Sequence, residues 1–311
     1  QGVAELSVVG LSPLPDKVHG INLVGERPSL HKGLLGMLLL FRAYKLAASL
    51  FYSSLGTQKL WSYSINPDVL IVNDINAMPI AERYLREIDR PKTPIYLDLH
   101  EYGPGEGGRL IDRLFMNPFK RFLCGRYLGR AQVVSTVSQG LVRAYNKLIG
   151  REVYLVPNVP PYEELSPQPL GTGKIRLVHH GGFGPGRDLH GLIDAVGILG
   201  ERYELHFYLV GKSSLISGLK RKARKAPVFF HEPVPTKDIA REISKYDIGV
   251  FLLRDETINN KYVMPNKLFE FVQARLAIVT SPNHEMKQFI LKNEVGRVTA
   301  ECNGTSLAQT I

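Results

Sequence analysis

Short apolar runs rich in β-branched residues alternate with helical patterns along most of the chain. This alternation is typical of parallel β-sheets whose faces are covered by helices. The runs predict strands at 5–10, 22–24, 69–72, 95–97, 133–136, 153–156, 175–179, 205–210, 228–230, 248–253, 277–280 and 296–298. We therefore expect an α/β protein with two sets of strands.

The composition between the two sets predicts a linker. Residues 157–161 read Pro-Asn-Val-Pro-Pro, and a polar stretch rich in proline and glycine follows up to residue 173. The length of 311 residues also exceeds the usual limit for one core. We expect an N-terminal domain at 1–160 and a C-terminal domain at 161–311, both Rossmann-like and doubly wound, facing each other across a cleft. Ligands in such sheets bind beyond the carboxyl ends of the strands.

The two ends of the chain lead us to expect truncation. Gln1 is followed almost at once by a predicted strand, and Ile311 falls inside a predicted helix. We expect the first strand and helix of the N-terminal domain and the last helices of the C-terminal domain to be missing.

The most informative stretch, 264–271, reads Met-Pro-Asn-Lys-Leu-Phe-Glu-Phe and follows a predicted strand after a short loop. Pro265 fits the first position of a helix that ends near residue 274, because that position has no backbone hydrogen bond to lose. Helical spacing places Asn266 and Glu270 on one face. A helix N-terminus after a strand can bind phosphate, and a carboxylate one turn further in can accept hydrogen bonds from sugar hydroxyls. The stretch predicts a nucleotide-sugar site.

A glycine-rich stretch follows the strand predicted at 175–179. Residues 180–187 read His-Gly-Gly-Phe-Gly-Pro-Gly-Arg and lead into a predicted helix at 189–199. Glycines let the backbone approach an anion, the helix N-terminus adds partial positive charge, and Arg187 can bind phosphate oxygens. The last spacing differs from the dinucleotide-binding fingerprint. A purely structural turn explains the glycines equally well.

Three polar residues follow the strand predicted at 95–97: Asp98, His100 and Glu101. A histidine at the carboxyl end of a strand can reach into the cleft, and a surface histidine paired with Asp98 or Glu101 is the alternative. No third metal ligand stands at a convincing spacing. The neighbouring histidines at 179–180 point to opposite faces of a strand and cannot chelate. We expect no metal.

The net charge of +10 allows nucleic acid, an anionic membrane surface or a phosphorylated substrate as partner. The basic run at 220–225 lacks the stacking aromatics and docking motifs of nucleic-acid sites, so we interpret it as a solvated helix face and expect no nucleic acid. The stretch at 31–52 is apolar and carries Lys32, Arg42 and Lys45. A helix on an anionic membrane surface and a buried core helix explain this stretch equally well.

Two further patterns bear on the surroundings of the protein. The longest apolar run, at 33–41, is too short to span a bilayer. The two cysteines, Cys124 and Cys302, fit no disulfide framework and no zinc spacing. A reducing compartment is therefore expected.

The ordered set of motifs resembles the retaining family-4 glycosyltransferases, which have the GT-B architecture. The segments that carry the resemblance are 69–76, ending in Asn-Asp-Ile-Asn; 96–101, Tyr-Leu-Asp-Leu-His-Glu; 131–141 together with 156–159; the glycine-rich 180–187; and the helix at 264–271. They are spread over nearly the whole chain.

The resemblance implies transfer of a sugar from a nucleotide-diphosphate donor with retention of the anomeric configuration, with no metal and no cofactor. His100, Glu270 and Arg187 are implied as catalytic residues, with His100 contacting the transferred sugar and Glu270 holding the donor ribose. The donor-binding residues that it implies are Gly181, Gly182, Phe183, Gly184, Arg187, Lys212, Val234, Pro235, Tyr262, Met264, Pro265, Asn266, Lys267, Leu268 and Glu270. Those implied on the acceptor side are Asp74, Asn76 and Glu101.

The sequence departs from the family pattern at two positions. The first glutamate of the Glu-x7-Glu pattern falls where this chain has Tyr262, which removes one carboxylate near the sugar. The diphosphate loop often carries two cations, and here the two positions are Gly182 and Arg187. Lys212 or Lys267 is expected to replace the missing cation.

The resemblance favours a glycosyltransferase of cell-surface polysaccharide or glycolipid assembly. Its partners would be the nucleotide sugar, a glycan or lipid-linked acceptor and an anionic membrane surface, so we expect it in the cytoplasm or peripherally on the inner face of the cell membrane. A nucleotide-sugar 2-epimerase of the same fold would have Glu101 and Glu270 as candidate proton carriers. A non-catalytic sugar-nucleotide-binding subunit would be consistent with Tyr262 and with truncation.

Overall fold

The chain folds into two compact units. The computed structural model describes residues 8–10, 20–22, 29–53, 66–169, 173–184 and 186–311. The first unit extends up to Thr136 and includes Val142–Leu155, and the second comprises Val137–Leu141 and Val156–Ile311. The sequence placed the domain boundary after residue 160, whereas the chain enters the second unit for the last time after Leu155.

The described strands of the first unit are all parallel. They are β1 (Val8–Gly10), β2 (Gly20–Asn22), β3 (Leu70–Asn73), β4 (Ile95–Leu99), β5 (Val133–Thr136) and β6 (Tyr154–Leu155). β1 pairs with β2, and β3 to β6 form a separate sheet in consecutive order. The carboxyl ends of β3, β4 and β5 therefore lie side by side.

Helices connect the strands of the first unit. They are α1 (Ser29–Leu40), α2 (Tyr44–Ser53), α3 (Met78–Glu87), α4 (Asn117–Tyr127) and α5 (Gln139–Ile149), and the first three residues of α5 belong to the second unit. α3, α4 and α5 are the crossovers between the parallel strands β3 to β6. The core of this unit contains Leu97 and Leu99 of β4, Leu123 of α4 and Tyr145 of α5, none of which is measurably exposed.

The second unit contains one six-stranded parallel sheet among the described residues. Its strands are β7 (Ile175–Gly182), β8 (Tyr203–Val210), β9 (Val228–His231), β10 (Ile248–Phe251), β11 (Ala277–Thr280) and β12 (Gly296–Val298). Their order is β12-β11-β10-β7-β8-β9. The order reverses between β7 and β10, which makes this a doubly wound sheet.

Helices of the second unit follow its strands. They are α6 (Leu189–Leu199), α7 (Ser213–Lys222), α8 (Ile239–Ile243), α9 (Ile258–Lys261), α10 (Asn266–Gln273), α11 (His284–Asn293) and α12 (Gly304–Thr310). Leu177 and Val178 of β7 belong to two different hydrophobic clusters, as alternation along a strand requires. The sheet is thus buried on both faces.

The predicted strands are confirmed, because each overlaps a strand of the structure and every pairing is parallel. β7 is longer than predicted, since its ladder with β8 continues to the pair of Gly182 and Val210. The parts of the first two predicted strands at 5–7 and 23–24 lie outside the described residues.

The prediction of one apolar helix at 31–52 is wrong. The chain forms α1 and α2 instead, and Arg42 between them has a φ of 55°. A residue in this left-handed region ends a helix. Leu35 and Leu38 of α1 pack against the core, so the core interpretation holds for one face of that helix.

Candidate functional site

The reversal of strand order in the second unit marks a crevice at the carboxyl ends of β7 and β10. Ligands of doubly wound sheets bind at such switch points. The chain segments that follow these two strands meet here, because Arg187 and Leu253 form an antiparallel bridge. The glycine-rich loop therefore lies at the ligand-binding end of the sheet.

This loop combines unusual backbone geometry with a cation. Gly181 has a φ of 100°, which favours glycine. Arg187 donates a hydrogen bond from Nη1 to the Gly182 carbonyl, and its Nε would lie 3.2 Å from a Cβ added to Gly184. Burial lowers the pKa of Arg187. No carboxylate of the described residues forms an ion pair with this guanidinium.

The helix after the loop, α6, is capped by a side chain of the chain itself. Asp188 is the N-cap, and its Oδ1 accepts a hydrogen bond of 2.9 Å from the Gly191 amide. The chain's own carboxylate thus occupies the positive end of this helix. A contribution of the other α6 amides to anion binding stays a prediction.

The helix predicted at 264–274 is present as α10 and differs from the prediction at its first position. Pro265 is the N-cap, with a ψ of 148°, and the helix begins at Asn266. Like other N-cap residues, Pro265 is extended while its carbonyl already accepts a hydrogen bond from the helix, 2.9 Å from the Leu268 amide. No side chain caps α10, so the amides of Asn266 and Lys267 have no intrahelical partner.

Lys267 lies on the buried side of α10, with 6% of its surface exposed. Its Nζ is 4.3 Å from the centroid of the Phe251 ring and would lie 3.4 Å from a Cβ added to Gly181. Burial lowers the pKa of Lys267 well below its ordinary value, and Arg187 lowers it further, while Glu270 opposes the shift. Two cations, Arg187 and Lys267, thus converge on the loop after β7.

Glu270 lies one turn further along α10 and is 5% exposed. Burial raises the pKa of this carboxyl, and the charge of Lys267 partly offsets the rise. His180 Nε2 approaches Glu270 Oε2 to 3.3 Å, without the geometry of a hydrogen bond. Burial, Lys267 and Arg187 lower the pKa of His180 to about 3, so the imidazole is neutral. Among the described residues, no side chain or amide donates a hydrogen bond to this carboxylate.

The other residues implied for the donor differ in how they are placed. Lys212 follows β8, the neighbour of β7, and is exposed. A Cβ added to Gly211 would lie 2.8 Å from the Phe183 ring. The glycine-rich loop therefore packs against the segment that follows β8. Leu268 is buried, Phe183, Val234 and Met264 are partly buried against hydrophobic clusters, and Pro235 is exposed.

Tyr262, which stands where the resemblance expects a glutamate, ends α9. Its ring is perpendicular to that of His284, with centroids 5.6 Å apart. A Cβ added to Gly140, in the Val137–Leu141 segment of the second unit, would lie 2.1 Å from the ring. Tyr262 is therefore packed against backbone.

In the first unit, His100 is held at the carboxyl end of β4 by two acidic residues, Asp98 and Asp74. Its Nε2 lies 3.0 Å from Asp98 Oδ2, and its amide donates a hydrogen bond of 3.0 Å to Asp74 Oδ1. Ser135 Oγ donates to Asp98 Oδ1 and lies 2.8 Å from the Tyr96 hydroxyl. His100 is thus paired with Asp98, as the alternative interpretation of the sequence expected.

The residues predicted for the acceptor side surround this histidine. Asp74 has a φ of 64° and begins the short turn that contains Asn76. Burial and the nearby Asp74 raise the pKa of Glu101, while Lys120 and His100 oppose the shift. The structure thus brings Asp74, His100 and Glu101 together at the ends of β3 and β4.

Three polar residues of these clusters were not singled out as site residues by the sequence: Tyr96, Ser135 and His180. The contacts of Ser135 depend on the register that pairs it with Asp98, 37 positions away. The sequence signal for His180 was a histidine at the end of a strand directly before two glycines.

Neither a metal cluster nor a membrane span is found in the described part of the chain. No three histidine, cysteine or acidic side chains among these residues are grouped to hold a metal ion. No helix within the described ranges is long and apolar enough to cross a membrane. Cys124 and Cys302 are free thiols.

Comparison with known proteins gives one family match and a set of similar structures. Residues 174–311, the larger part of the second unit, match the family model described as glycosyl transferases group 1. No curated protein is similar enough in sequence to count as a match.

The similar structures share the GT-B fold of two parallel-sheet α/β domains. TarM has a TM-score of 0.61 and 12% identity over 82% of this chain, which spans 50% of the length of TarM. HepE from Anabaena, crystallised with UDP-glucose, has a TM-score of 0.63 and 14% identity, covering 94% of this chain and 75% of HepE. Sucrose-phosphate synthase from Thermosynechococcus elongatus has a TM-score of 0.65 and 12% identity, covering 96% and 74%.

Proposed function

We propose that this protein is a glycosyltransferase whose second unit binds a nucleotide-diphosphate sugar as donor. The observation that carries the proposal is the convergence of Arg187 and Lys267 on a glycine loop beside Glu270, with no direct ion pair from either cation to a carboxylate among the described residues. The family match covers the unit that contains this cluster. Structures of similar fold were solved with UDP and with UDP-glucose.

The two cations fit a diphosphate. Desolvated positive charges without counter-ions are costly, and a bound anion would remove this cost. Arg187 offers a planar donor pair and Lys267 a point charge, and the amides at the start of α10 add partial positive charge. In this role Lys267 replaces the cation that Gly182 lacks.

Glu270 fits the hydroxyls of a ribose. No described protein group donates a hydrogen bond to its carboxylate, so both oxygens are available to accept from two sugar hydroxyls. The placement of Glu270 one turn from the amide end of α10 matches a ribose next to a diphosphate.

The chemistry we propose is transfer with retention and without a metal. The bond between the anomeric carbon and the diphosphate oxygen breaks, and the diphosphate leaves with the electron pair. The acceptor hydroxyl forms the new bond on the same face, and its proton passes to the leaving diphosphate. Arg187, Lys267 and the α10 amides would stabilise the developing negative charge.

The acceptor we propose is a glycan or a lipid-linked sugar at the inner face of the cell membrane. Support for a membrane location comes from α1 of the first unit. Four large apolar side chains on or just after this helix are exposed: Leu34, Met37, Leu40 and Phe41. Arg42 and Lys45 are exposed next to them. Exposed apolar side chains beside cations suit an anionic membrane surface.

The donor proposal is tested by calorimetry with UDP and with uridine. Arg187→Ala should weaken UDP binding about 10- to 100-fold, because charge-assisted hydrogen bonds are lost, and leave uridine binding unchanged. Arg221→Ala, which removes an exposed cation of the basic run, should change neither. Equal losses for UDP and uridine in Arg187→Ala would refute the diphosphate role.

A second candidate, a non-catalytic subunit that binds a sugar nucleotide, is favoured by one observation. Tyr262 fills the position of the expected glutamate with a ring packed against Gly140. Single-turnover release of UDP from UDP-glucose with a membrane extract as acceptor separates the two. Binding of UDP without acceptor-dependent release would favour the subunit.

A further inference from the structure

The hydrogen bonds around His100 determine which of its two ring nitrogens carries the proton. An ionised carboxylate can only accept hydrogen bonds. Because Asp98 Oδ2 lies 3.0 Å from His100 Nε2, that nitrogen must be the donor. The neutral imidazole then has its hydrogen on Nε2 and an unprotonated Nδ1.

The remaining hydrogen bonds support this assignment from the other side of the carboxylate. Ser135 Oγ donates to Asp98 Oδ1, so its hydrogen is committed. The Tyr96 hydroxyl, 2.8 Å from Ser135 Oγ, must therefore donate to it. The result is one chain of donors running through Tyr96 and Ser135 into Asp98, with His100 donating from the opposite end.

Hydrogen bonds also hold the backbone from which the ring extends. The His100 amide donates to Asp74 Oδ1, and the Asp74 amide donates to the Asp98 carbonyl at 2.8 Å. Asp98 and Ser135 are paired directly in the ladder of β4 and β5, which fixes their side chains on the same face. No described residue hydrogen-bonds His100 Nδ1, which leaves it as the free ring nitrogen.

We infer that Asp98 and Ser135 are positioning residues that hold His100 as a hydrogen-bond acceptor at Nδ1, so that the group it recognises is a hydroxyl donor of a sugar. The sugar half of this inference rests on the proposed function. A histidine held in the opposite tautomer would offer N–H instead and would select a carbonyl or phosphate oxygen.

The tautomer is tested by nitrogen NMR of the protein labelled with ¹⁵N at histidine, at about pH 8, above the ordinary pKa of histidine. The His100 signals are identified as those lost in His100→Gln, with His190→Gln as a control for an exposed histidine. We expect a proton on Nε2 and none on Nδ1. A proton on Nδ1 in the free protein would overturn the inference.

Two variants test the role of the chain of donors. Ser135→Ala, which removes the hydroxyl that holds Asp98 in place, should shift the His100 ring signals and lower kcat/KM roughly tenfold, the equivalent of one hydrogen bond. Asp98→Asn should abolish the preference. A native His100 spectrum in both variants would mean that neither residue positions the ring.

Addition of free glucose at high concentration, which needs no group of the second unit, tests the hydroxyl. The Nδ1 signal should shift while remaining unprotonated, as expected for an acceptor, and acquisition of a bound proton would contradict the inference. The two proposals fail separately. The spectrum of the free protein does not depend on sugar transfer, and the effect of Arg187→Ala on UDP binding does not depend on His100.

Discussion

Lys267 illustrates how burial prepares a single side chain for an anion. Its pKa is lowered well below the ordinary value by burial first and by Arg187 second. A diphosphate placed between these cations would favour the charged ammonium and raise the pKa again. Binding should therefore be coupled to protonation.

This coupling gives a prediction for calorimetry in buffers of different ionisation enthalpy. At about pH 8 a diphosphate is already fully ionised, and arginine does not titrate. At pH values above the lowered pKa of Lys267, the free protein carries a neutral amine, so UDP binding should take up protons. Lys267→Met should abolish the uptake and weaken binding. Equal uptake in Lys267→Met would assign the proton to another group.

The geometry around Gly181 explains why this lysine can reach the loop. Gly181 has a φ of 100°, which side chains rarely adopt, and a Cβ added there would lie 3.4 Å from Lys267 Nζ. The sequence identified the glycines as anion-binding candidates, and the resemblance offered Lys212 or Lys267 as the second cation. The sequence could not decide between the two lysines, because the contact of Lys267 with the loop joins segments that are 86 positions apart.

The elements that carry the site were predictable to different degrees. The apolar runs predicted where the strands end to within a few residues. Pro265 predicted the start of the helix at Asn266–Gln273 to within one residue. The break at Arg42 was not predictable, because no glycine or proline marks it. The contacts of Ser135 and His180 required the register of neighbouring strands, which a single sequence does not contain.

The cap of α6 had a sequence signal, since Asp188 directly precedes the apolar residues of that helix. Its structural role leads to a prediction. Asp188→Ala should lower the free energy of unfolding by about 1 kcal/mol through loss of the cap, and should leave the UDP affinity within a few-fold of its native value. Thermal unfolding and calorimetry measure the two effects.

Asp188→Asn is the matched control, because asparagine caps as well as aspartate and carries no charge. It should retain the native stability. A large change of UDP affinity in Asp188→Ala with none in Asp188→Asn would show that the α6 end takes part in binding after all.

At the scale of the whole molecule, the net charge of +10 and the exposed apolar side chains around α1 suggest association with a surface. We expect the protein to bind vesicles that contain phosphatidylglycerol and not vesicles of phosphatidylcholine alone. Phe41→Glu should weaken this binding about tenfold or more. It removes a large apolar side chain and adds a negative charge that the anionic lipids repel.

Leu291→Glu provides a control, since Leu291 is 54% exposed on a helix of the second unit. It should change vesicle binding much less than Phe41→Glu. Co-sedimentation at low and raised salt measures both variants. Equal losses in the two would indicate nonspecific adhesion rather than docking through the first unit.

The short segment Val137–Leu141 belongs to the second unit although residues of the first unit precede and follow it. The chain therefore changes units three times, after Thr136, Leu141 and Leu155. During synthesis the second unit receives its earliest piece before the first unit has its last strand. A ribosome-bound intermediate ending at Leu155 would already contain Gly140, and Tyr262, which packs against it, would emerge only after about another hundred residues.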